Sequence, residues 1–295
     1  MTRRTFLSCV LVPTILALVV VVAVLIHAYS IRPSLVQFTA LDVGQGDALY
    51  FETTKHQQML IDGGPDNSVL DQLGRAMPFF DRSLDVVVMT HPDSDHATGL
   101  VSVVRRYHIG KFIMTGVVKH TAAYATLEAE LRKRNVPIQY VHAGDRLDFS
   151  DGSTFSIVSP AESWQGRETK KTNNTSIVGK FSYRNFSVLM TGDIEEEVER
   201  EMLSRNIPLA ATILKAPHHG SHTSSSEPFL RAVHPEAVVI SVGANNKFGH
   251  PHADVLERYQ AFRVPVFRTD QGGAMTIRSD GERWTVKQGL LFRLW

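Results

Sequence analysis

A short apolar, β-branched run at residues 84–90, LDVVVMT, breaks off into HPDSDH, and helical spacing resumes at once in ATGLVSVVRRYHI. Such a run reads as a buried strand, and the pattern after it as a helix. The chain is therefore committed to a strand–turn–helix unit, and turns of that kind are where α/β folds gather ligand-binding groups. This turn carries His91, Asp93, Asp95 and His96, four potential metal ligands within six positions. An isolated Asp-Ser-Asp stretch would read as a helix cap or a turn. The strand before it and the two flanking histidines turn the reading toward half of a metal site.

The rest of the chain alternates in the same style. LVQFTALDV and DALYFET are strands joined at Gly44-Gln45-Gly46, QMLIDGG is a third strand, and DQLGRAMPFF is helical. KFIMTG predicts a strand and AAYATLEAELRKRN an amphipathic helix. YVHAGDRLDFSDGSTFSIVSP turns like β-hairpins, and SIVGKFSYRNFSVLMTGD is a hairpin turning at Arg184-Asn185. IEEEVEREMLSRN is a helix with acidic residues in its first turn, which suits the helix macrodipole. A closing hairpin turns on Asp280-Gly281. Hairpins interleaved with helices predict an α/β fold in which sheets pack together under helical layers.

The first thirty residues differ. Arg3 and Arg4 precede an apolar stretch over 6–28, long enough for a helix across a hydrocarbon core of roughly 30 Å. A cleavable signal peptide has an apolar region of about 7–15 residues. The unbroken run over 15–26 and the weak cleavage site at Ala28-Tyr29-Ser30 favour one retained transmembrane helix over a cleaved signal segment and a secreted product. Residues 1–30 are thus the anchor and 31–295 one domain, which the positive-inside rule places in the periplasm or extracellular space. The sole cysteine, Cys9, lies in the anchor, so the remainder offers neither a disulfide nor a thiolate ligand. Of 31 basic residues, Arg3 and Arg4 belong to the anchor, leaving 29 against 30 acidic ones. Bulk charge gives no support for nucleic-acid binding, which only a local patch could supply.

The chemistry-bearing residues recur at strand ends: DVGQGDA (42–48), IDGG (61–64), HPDSDH (91–96), NNTS (173–176), TGD (191–193), KAPHHGS (215–221) and FGHP (248–251). Each has a plain reading alone. Asp193 could cap the helix after it, and His218-His219-Gly220 could be a turn. His108, His120, His142 and His234 stand outside these clusters and read as ordinary histidines. Together the strand-end positions are ones that a folded sheet brings to a single edge.

LDVGQGDA, THPDSDHATG, TGD, LKAPHHGS and GHP occur in an order that resembles the metallo-β-lactamase superfamily, and within it the soluble hydrolase domain of ComEC-type DNA-internalisation (competence) proteins. The resemblance covers residues 36–288 and implies an αββα sandwich with two divalent metal ions, Zn²⁺ or Mn²⁺, along one edge. Carried over, His91 and Asp93 would hold the first ion, Asp95 and His96 the second, and Asp193 would bridge them. One histidine of HHGS would complete the second site. Strand alternation sends the two to opposite faces, and His218 is favoured as ligand with His219 as a nearby donor. Asp62 would orient ligands, while Asp47, Asn174 and Lys215 would line the site or contact substrate.

Two departures stand out. Asp93 occupies a position where histidine is commoner in the superfamily, and the further histidine expected for the first ion is absent, with NNTS in its region. Such a site is richer in oxygen, which moves the expectation toward manganese without excluding zinc. The resemblance implies metal-assisted phosphodiester hydrolysis of nucleic acid, with Asp95, Asp193, His219 and His250 carrying the chemistry. Lys170 and Lys171 in GRETKKTNN would attract the anionic substrate if that loop covers the metals, and would otherwise be a solvated loop. One apolar span cannot itself translocate DNA, so a DNA-uptake channel protein is a candidate partner. The alternatives are hydrolysis of a lactam, lactone or other ester, and a membrane-tethered DNA-binding component with an idle site.

Overall fold

The computed structural model describes residues 3–30, 35–289 and 291–294, with side chains described over 11–24 and 35–289. The chain divides into two compact units, Met1–Ser34 and Leu35–Trp295. The first holds helix α1 (Arg3–Ser30), with Pro13 inside it. Its side chains over 11–24 are exposed, Leu16 to 65%. Among the described residues no helix is long and apolar enough to cross a membrane. Much of the stretch from which an anchor is expected, at both ends of α1, has side chains outside the described residues.

The second unit opens with β1 (Val36–Ala40), β2 (Leu49–Glu52), β3 (Gln58–Ile61), α2 (Ser68–Ala76), β4 (Ser83–Val88), α3 (Ser94–Arg106), β5 (His108–Met114), α4 (Ala122–Lys133) and β6 (Ile138–Tyr140). It continues through β7 (Arg146–Asp148), β8 (Thr154–Ser159), β9 (Val178–Tyr183), β10 (Phe186–Met190), α5 (Glu196–Ser204), β11 (Ile213–Lys215), α6 (Glu227–Val233), β12 (Ala237–Ile240), α7 (Ala253–Ala261) and β13 (Val266–Arg268). A short α8 (Thr269–Gly272) leads back to β14 (Met275–Ser279), β15 (Trp284–Gln288) and β16 (Leu291–Leu294). The first sheet has the order β16-β15-β14-β1-β2-β3-β4-β5-β6, and the second β13-β12-β11-β10-β9-β8-β7.

Residue alternation explains the layers. Val86 and Val88 of β4 face the second sheet, while Val87 and Met89 face α2, α3 and α4. In β12, Ala237 and Val239 enter the same inter-sheet core, and Val238 and Ile240 pack under α5, α6 and α7. Strands covered on both faces read as continuous apolar runs, and that accounts for LDVVVMT. The order is helix, sheet, sheet, helix, as expected of the αββα class. The expected hairpins at Arg184-Asn185 and Asp280-Gly281 are the antiparallel pairs β9–β10 and β14–β15. Helix α2 starts before DQLGRAMPFF, at Ser68, and ends earlier than that stretch suggests, at Ala76. Pro78 disfavours helical backbone in the residue before it, and Met77 is extended at φ −98°, ψ 158°.

Phe181 is the aromatic hinge of the inter-sheet core. Its ring lies 5.0 Å from Phe51, which stacks on Phe38 at 4.8 Å. Phe181→Ala is expected to destabilise the domain by about 3–5 kcal/mol, the transfer loss plus an unfilled cavity. Urea denaturation followed by circular dichroism checks this, and a change below about 1 kcal/mol would show that the sheets repack around the gap.

Candidate metal centre

Strands β3 to β6 run parallel to one another, as do β10 to β13. Their carboxyl ends therefore open on one edge of the sandwich. Asp62 follows β3, His91 follows β4, Asp193 follows β10 and His219 follows β11. Asp47, in the β1–β2 turn, joins them through its backbone N–H, which donates to Asp95 O at 3.3 Å. Gly46 makes that approach possible, since a Cβ there would lie 2.1 Å from the Asp95 carbonyl oxygen.

Asp95, His96, Asp193 and His219 offer ligand atoms that all lie within 4.8 Å of one another. Asp193 Oδ2 is 3.2 Å from Nε2 of both His96 and His219, and Asp95 Oδ2 is 3.5 Å from His219 Nε2. The other nitrogens are tied back. His96 Nδ1 is 2.8 Å from Asp62 Oδ2, and His219 Nδ1 donates to Ser241 O at 2.8 Å. Asp62 is itself held by the Thr90 N–H and hydroxyl, each at 2.7 Å. An imidazole whose Nδ1 is fixed by a carboxylate or carbonyl presents Nε2 as the ligand. Nε2 of His91, His96 and His219 and Oδ1 of Asp193 are all buried without a hydrogen-bond partner in the protein. Buried polar atoms are rarely left so, and a cation is what these donors would satisfy. A mixed set of two imidazoles and two carboxylates fits a divalent ion such as Zn²⁺ or Mn²⁺.

The choice between the HHGS histidines falls the other way from the strand-alternation expectation. His218 and His219 lie in a 3-10 turn, Pro217–Gly220, both in the left-handed region at φ 50° and φ 54°. Strand alternation does not govern such backbone. His219 is buried in the cluster, whereas His218 sits at the rim with Nε2 3.9 Å from Asp193 Oδ2. His250 lies beside them, its ring centroid 5.5 Å from His218 and 6.3 Å from His219.

The residues expected to hold a first ion are arranged differently. Asp93 Oδ1 accepts from Lys119 Nζ at 2.9 Å and from the Thr172 hydroxyl at 2.6 Å. No ligand group of three that could hold a metal ion includes His91 or Asp93 among the described residues. His91 Nδ1 is instead within 3.0 Å of Thr90 Oγ1 and 3.2 Å of Ser176 Oγ.

Lys215 is fully buried, with Nζ 2.5 Å from Asp47 Oδ2, and Asp47 Oδ1 is 3.4 Å from His219 Nδ1. Lys170 and Lys171 are exposed, and Lys171 pairs with Glu197 at 2.5 Å. Asn174 braces the start of α5, accepting from Glu195 N at 3.0 Å, and does not enter the cluster. Its neighbours do that work: Asn173 Nδ2 is 3.4 Å from His218 Nε2, and Ser176 Oγ accepts from Asp193 N. Thr90 was legible as the residue leading HPDSDH. Lys119, Thr172 and Ser241 carried no local signal and are recruited by the fold alone.

An αββα sandwich that gathers histidine and aspartate at one edge defines the class: a metallo-hydrolase fold. The sequence profile of the Metallo-beta-lactamase superfamily matches residues 41–244, and the chain belongs to that superfamily. It is 32% identical to ComE operon protein 3 of Bacillus subtilis (strain 168), over 81% of this chain and 32% of that protein. It is 29% identical to Competence protein ComA of Neisseria gonorrhoeae, over 80% of this chain and 31% of that one. The chain thus spans about a third of the length of these relatives. Among solved structures, the metallo-beta-lactamase fold protein YhfI from Bacillus subtilis aligns with TM-score 0.52 and 13% identity, over 79% of this chain and 95% of that one. Igni18, a metallo hydrolase from Ignicoccus hospitalis, aligns with TM-score 0.52 and 17% identity, over 81% of this chain and 98% of that one. At such identities these two structures speak to the fold alone.

Charge in the cluster is balanced by protons when no cation is bound. Burial alone would lower His96 and His219, but for each the carboxylates outweigh it, with Asp193 foremost, and hold both well above the usual histidine value. Burial would raise Asp193, yet His219 and His96 hold it well below the usual carboxylate range. His91 behaves oppositely: burial, then the charge of His96, lowers it to about 4. Protons and metal compete for the same Nε2 atoms, so metal affinity should strengthen as pH rises through the raised values. Binding of Mn²⁺ or Zn²⁺ near pH 7 is expected to release about one to two protons. Calorimetry in buffers of different ionisation enthalpy measures the number. Release of none would mean that the ion does not replace the protons on His96 and His219.

Proposed function

We propose that this chain is a metal-dependent phosphodiesterase that hydrolyses nucleic acid, with the buried Asp95–His96–Asp193–His219 cluster as its metal centre. That cluster, with its unpartnered Nε2 atoms, is the observation that carries the reading. The competence-protein relatives support nucleic acid as the substrate class, as does Lys119 beside the cluster, a cation suited to a phosphate oxygen. Asp95, His96, Asp193 and His219 would hold a divalent ion, which would supply Lewis acidity toward a water and a phosphoryl oxygen. Asp95 and Asp193, besides holding the ion, would accept hydrogen bonds from the attacking water. Asp62 and Ser241 keep the two imidazoles from rotating. His218 and His250, whose rings lie 5.5 Å apart next to the cluster, would be the groups to hydrogen-bond the leaving oxygen.

Asp193→Asn is expected to abolish cleavage while leaving the fold intact, because it removes the carboxylate charge between two ligand imidazoles. Steady-state cleavage of labelled single- and double-stranded oligonucleotides by metal-loaded protein measures this, with circular dichroism as the fold control. Turnover of folded Asp193→Asn at the wild-type rate would sink the proposed centre. A metal-loaded wild type that cuts no nucleic acid but opens a chromogenic lactam or ester would move the substrate class instead.

We further propose that residues 1–30 hold the chain at the cytoplasmic membrane with residues 31–295 outside, where it could serve a DNA-uptake channel protein. Arg3 and Arg4 ahead of the apolar stretch support this orientation, as do the exposed aliphatic side chains of 11–24. Protease added to spheroplasts should digest the hydrolase unit, and full protection with a sealed membrane would reverse the topology.

A further inference from the structure

We propose that the Lys119 ammonium takes the place of one metal ion, so that the centre binds a single divalent cation beside a fixed lysine. The inference rests on the metal reading above and concerns the half of the site next to His91 and Asp93. A second ion there would need Asp93 as a ligand. Asp93 is half of an ion pair instead, with Lys119 Nζ 2.9 Å from Oδ1, and the Thr172 hydroxyl donates to the same oxygen at 2.6 Å. Lys119 also lies 3.1 Å from Thr172 Oγ1, so the lysine, the threonine and the aspartate form a closed triangle. His91, two residues before Asp93, has its ring 4.2 Å from that of His96. No third histidine, cysteine or carboxylate completes a group with it and Asp93 among the described residues.

The arrangement is asymmetric in burial as well. His96, Asp193 and His219 are buried and Asp95 is 27% exposed, whereas in the other half only His91 is buried, and Asp93 and Lys119 have side chains 29% and 30% exposed. A lysine at that depth stays partly open to solvent and can meet a substrate oxygen arriving from there, which a fully coordinated ion cannot do without losing a ligand. It is a point charge with three donors, and the bonds to Asp93 and Thr172 leave one for a phosphate oxygen. The chain thus has one strongly liganded position to bind and polarise, and one protein cation at the entrance to receive the anionic group.

The test is stoichiometry on the full chain. Purified wild type, Lys119→Ala and Lys119→Arg are dialysed against Mn²⁺ and then against metal-free buffer, and metal is counted per chain by elemental analysis. The expected result is one ion for wild type and Lys119→Arg, and two for Lys119→Ala, where the released Asp93 would hold the second with His91 and solvent water. Electron paramagnetic resonance gives an independent readout: an isolated Mn²⁺ spectrum for wild type and an exchange-coupled pair for Lys119→Ala. Two tightly bound ions in the wild type would overturn the proposal, as would a single ion in folded Lys119→Ala. Folded protein that retains no ion in any variant would refute the metal centre itself, which is a different result.

Discussion

Asp62 accepts from the Thr90 N–H and hydroxyl and faces His96 Nδ1, and the edge of the first sheet depends on those three contacts. They tie the end of β3 to the end of β4 and to the first turn of α3. The carboxylate is fully buried, and these three contacts are what offsets its removal from water. The backbone is part of the arrangement: Asp62 adopts φ 59°, a left-handed conformation that costs a non-glycine residue about 1–3 kcal/mol. A position that bears such strain and such burial is held for what it does to His96. Without it the imidazole would be free to choose either nitrogen, and Nε2 would not stand opposite Asp193.

Asp47, Asp193 and Asp62 are buried, and Asp95 is largely so, in two groups that share His96. Such a group is stable only with matching positive charge. Lys215 neutralises Asp47 from beneath the site, and Lys119 neutralises Asp93 at its mouth. Between them lie His96 and His219, whose protons supply the remaining positive charge in the absence of a metal. Loss of either partner from the Lys215–Asp47 pair would leave an uncompensated buried charge, a cost of about 3–5 kcal/mol. The lysine of LKAPHHGS therefore serves the cluster by balancing charge from below, and its burial keeps it away from any substrate.

What the sequence showed was whatever the chain keeps together locally. HPDSDH puts four ligand types on one strand–helix turn, so its chemistry could be read without the fold. TGD and HHGS were visible as strand ends, because β-branched runs precede both. The pairing of His219 rather than His218 with the cluster was hidden, since it follows from two consecutive left-handed residues and not from the period of a strand. Lys119 was hidden more deeply. It lies 26 positions from Asp93 and meets it because β5 runs parallel to β4 and delivers the following loop to the same edge. Asn174 was read as a site residue from its neighbourhood in sequence, whereas a 3-10 turn rotates Asn173 and Ser176 toward the histidines and leaves Asn174 to brace α5.

The strained turn at His218 and His219 shows how the second sheet enforces the geometry that the first sheet only prepares. The His218 N–H donates to Gly192 O at 3.1 Å, which joins the turn after β11 to the turn after β10. His219 Nδ1 donates to Ser241 O, joining it to the residue that follows β12, and the Ser241 hydroxyl reaches across to Gly46 O at 2.7 Å in the first sheet. Gly192 itself, at φ 50°, leaves room that a Cβ would fill, 2.8 Å from the Ser176 Cβ. Three adjacent parallel strands thus brace one another's turns, and a cross-sheet hydrogen bond fixes the two halves in register. Two successive residues at positive φ survive because these bonds over-determine them. The strain is the means by which an imidazole on one sheet is aimed at carboxylates carried by both.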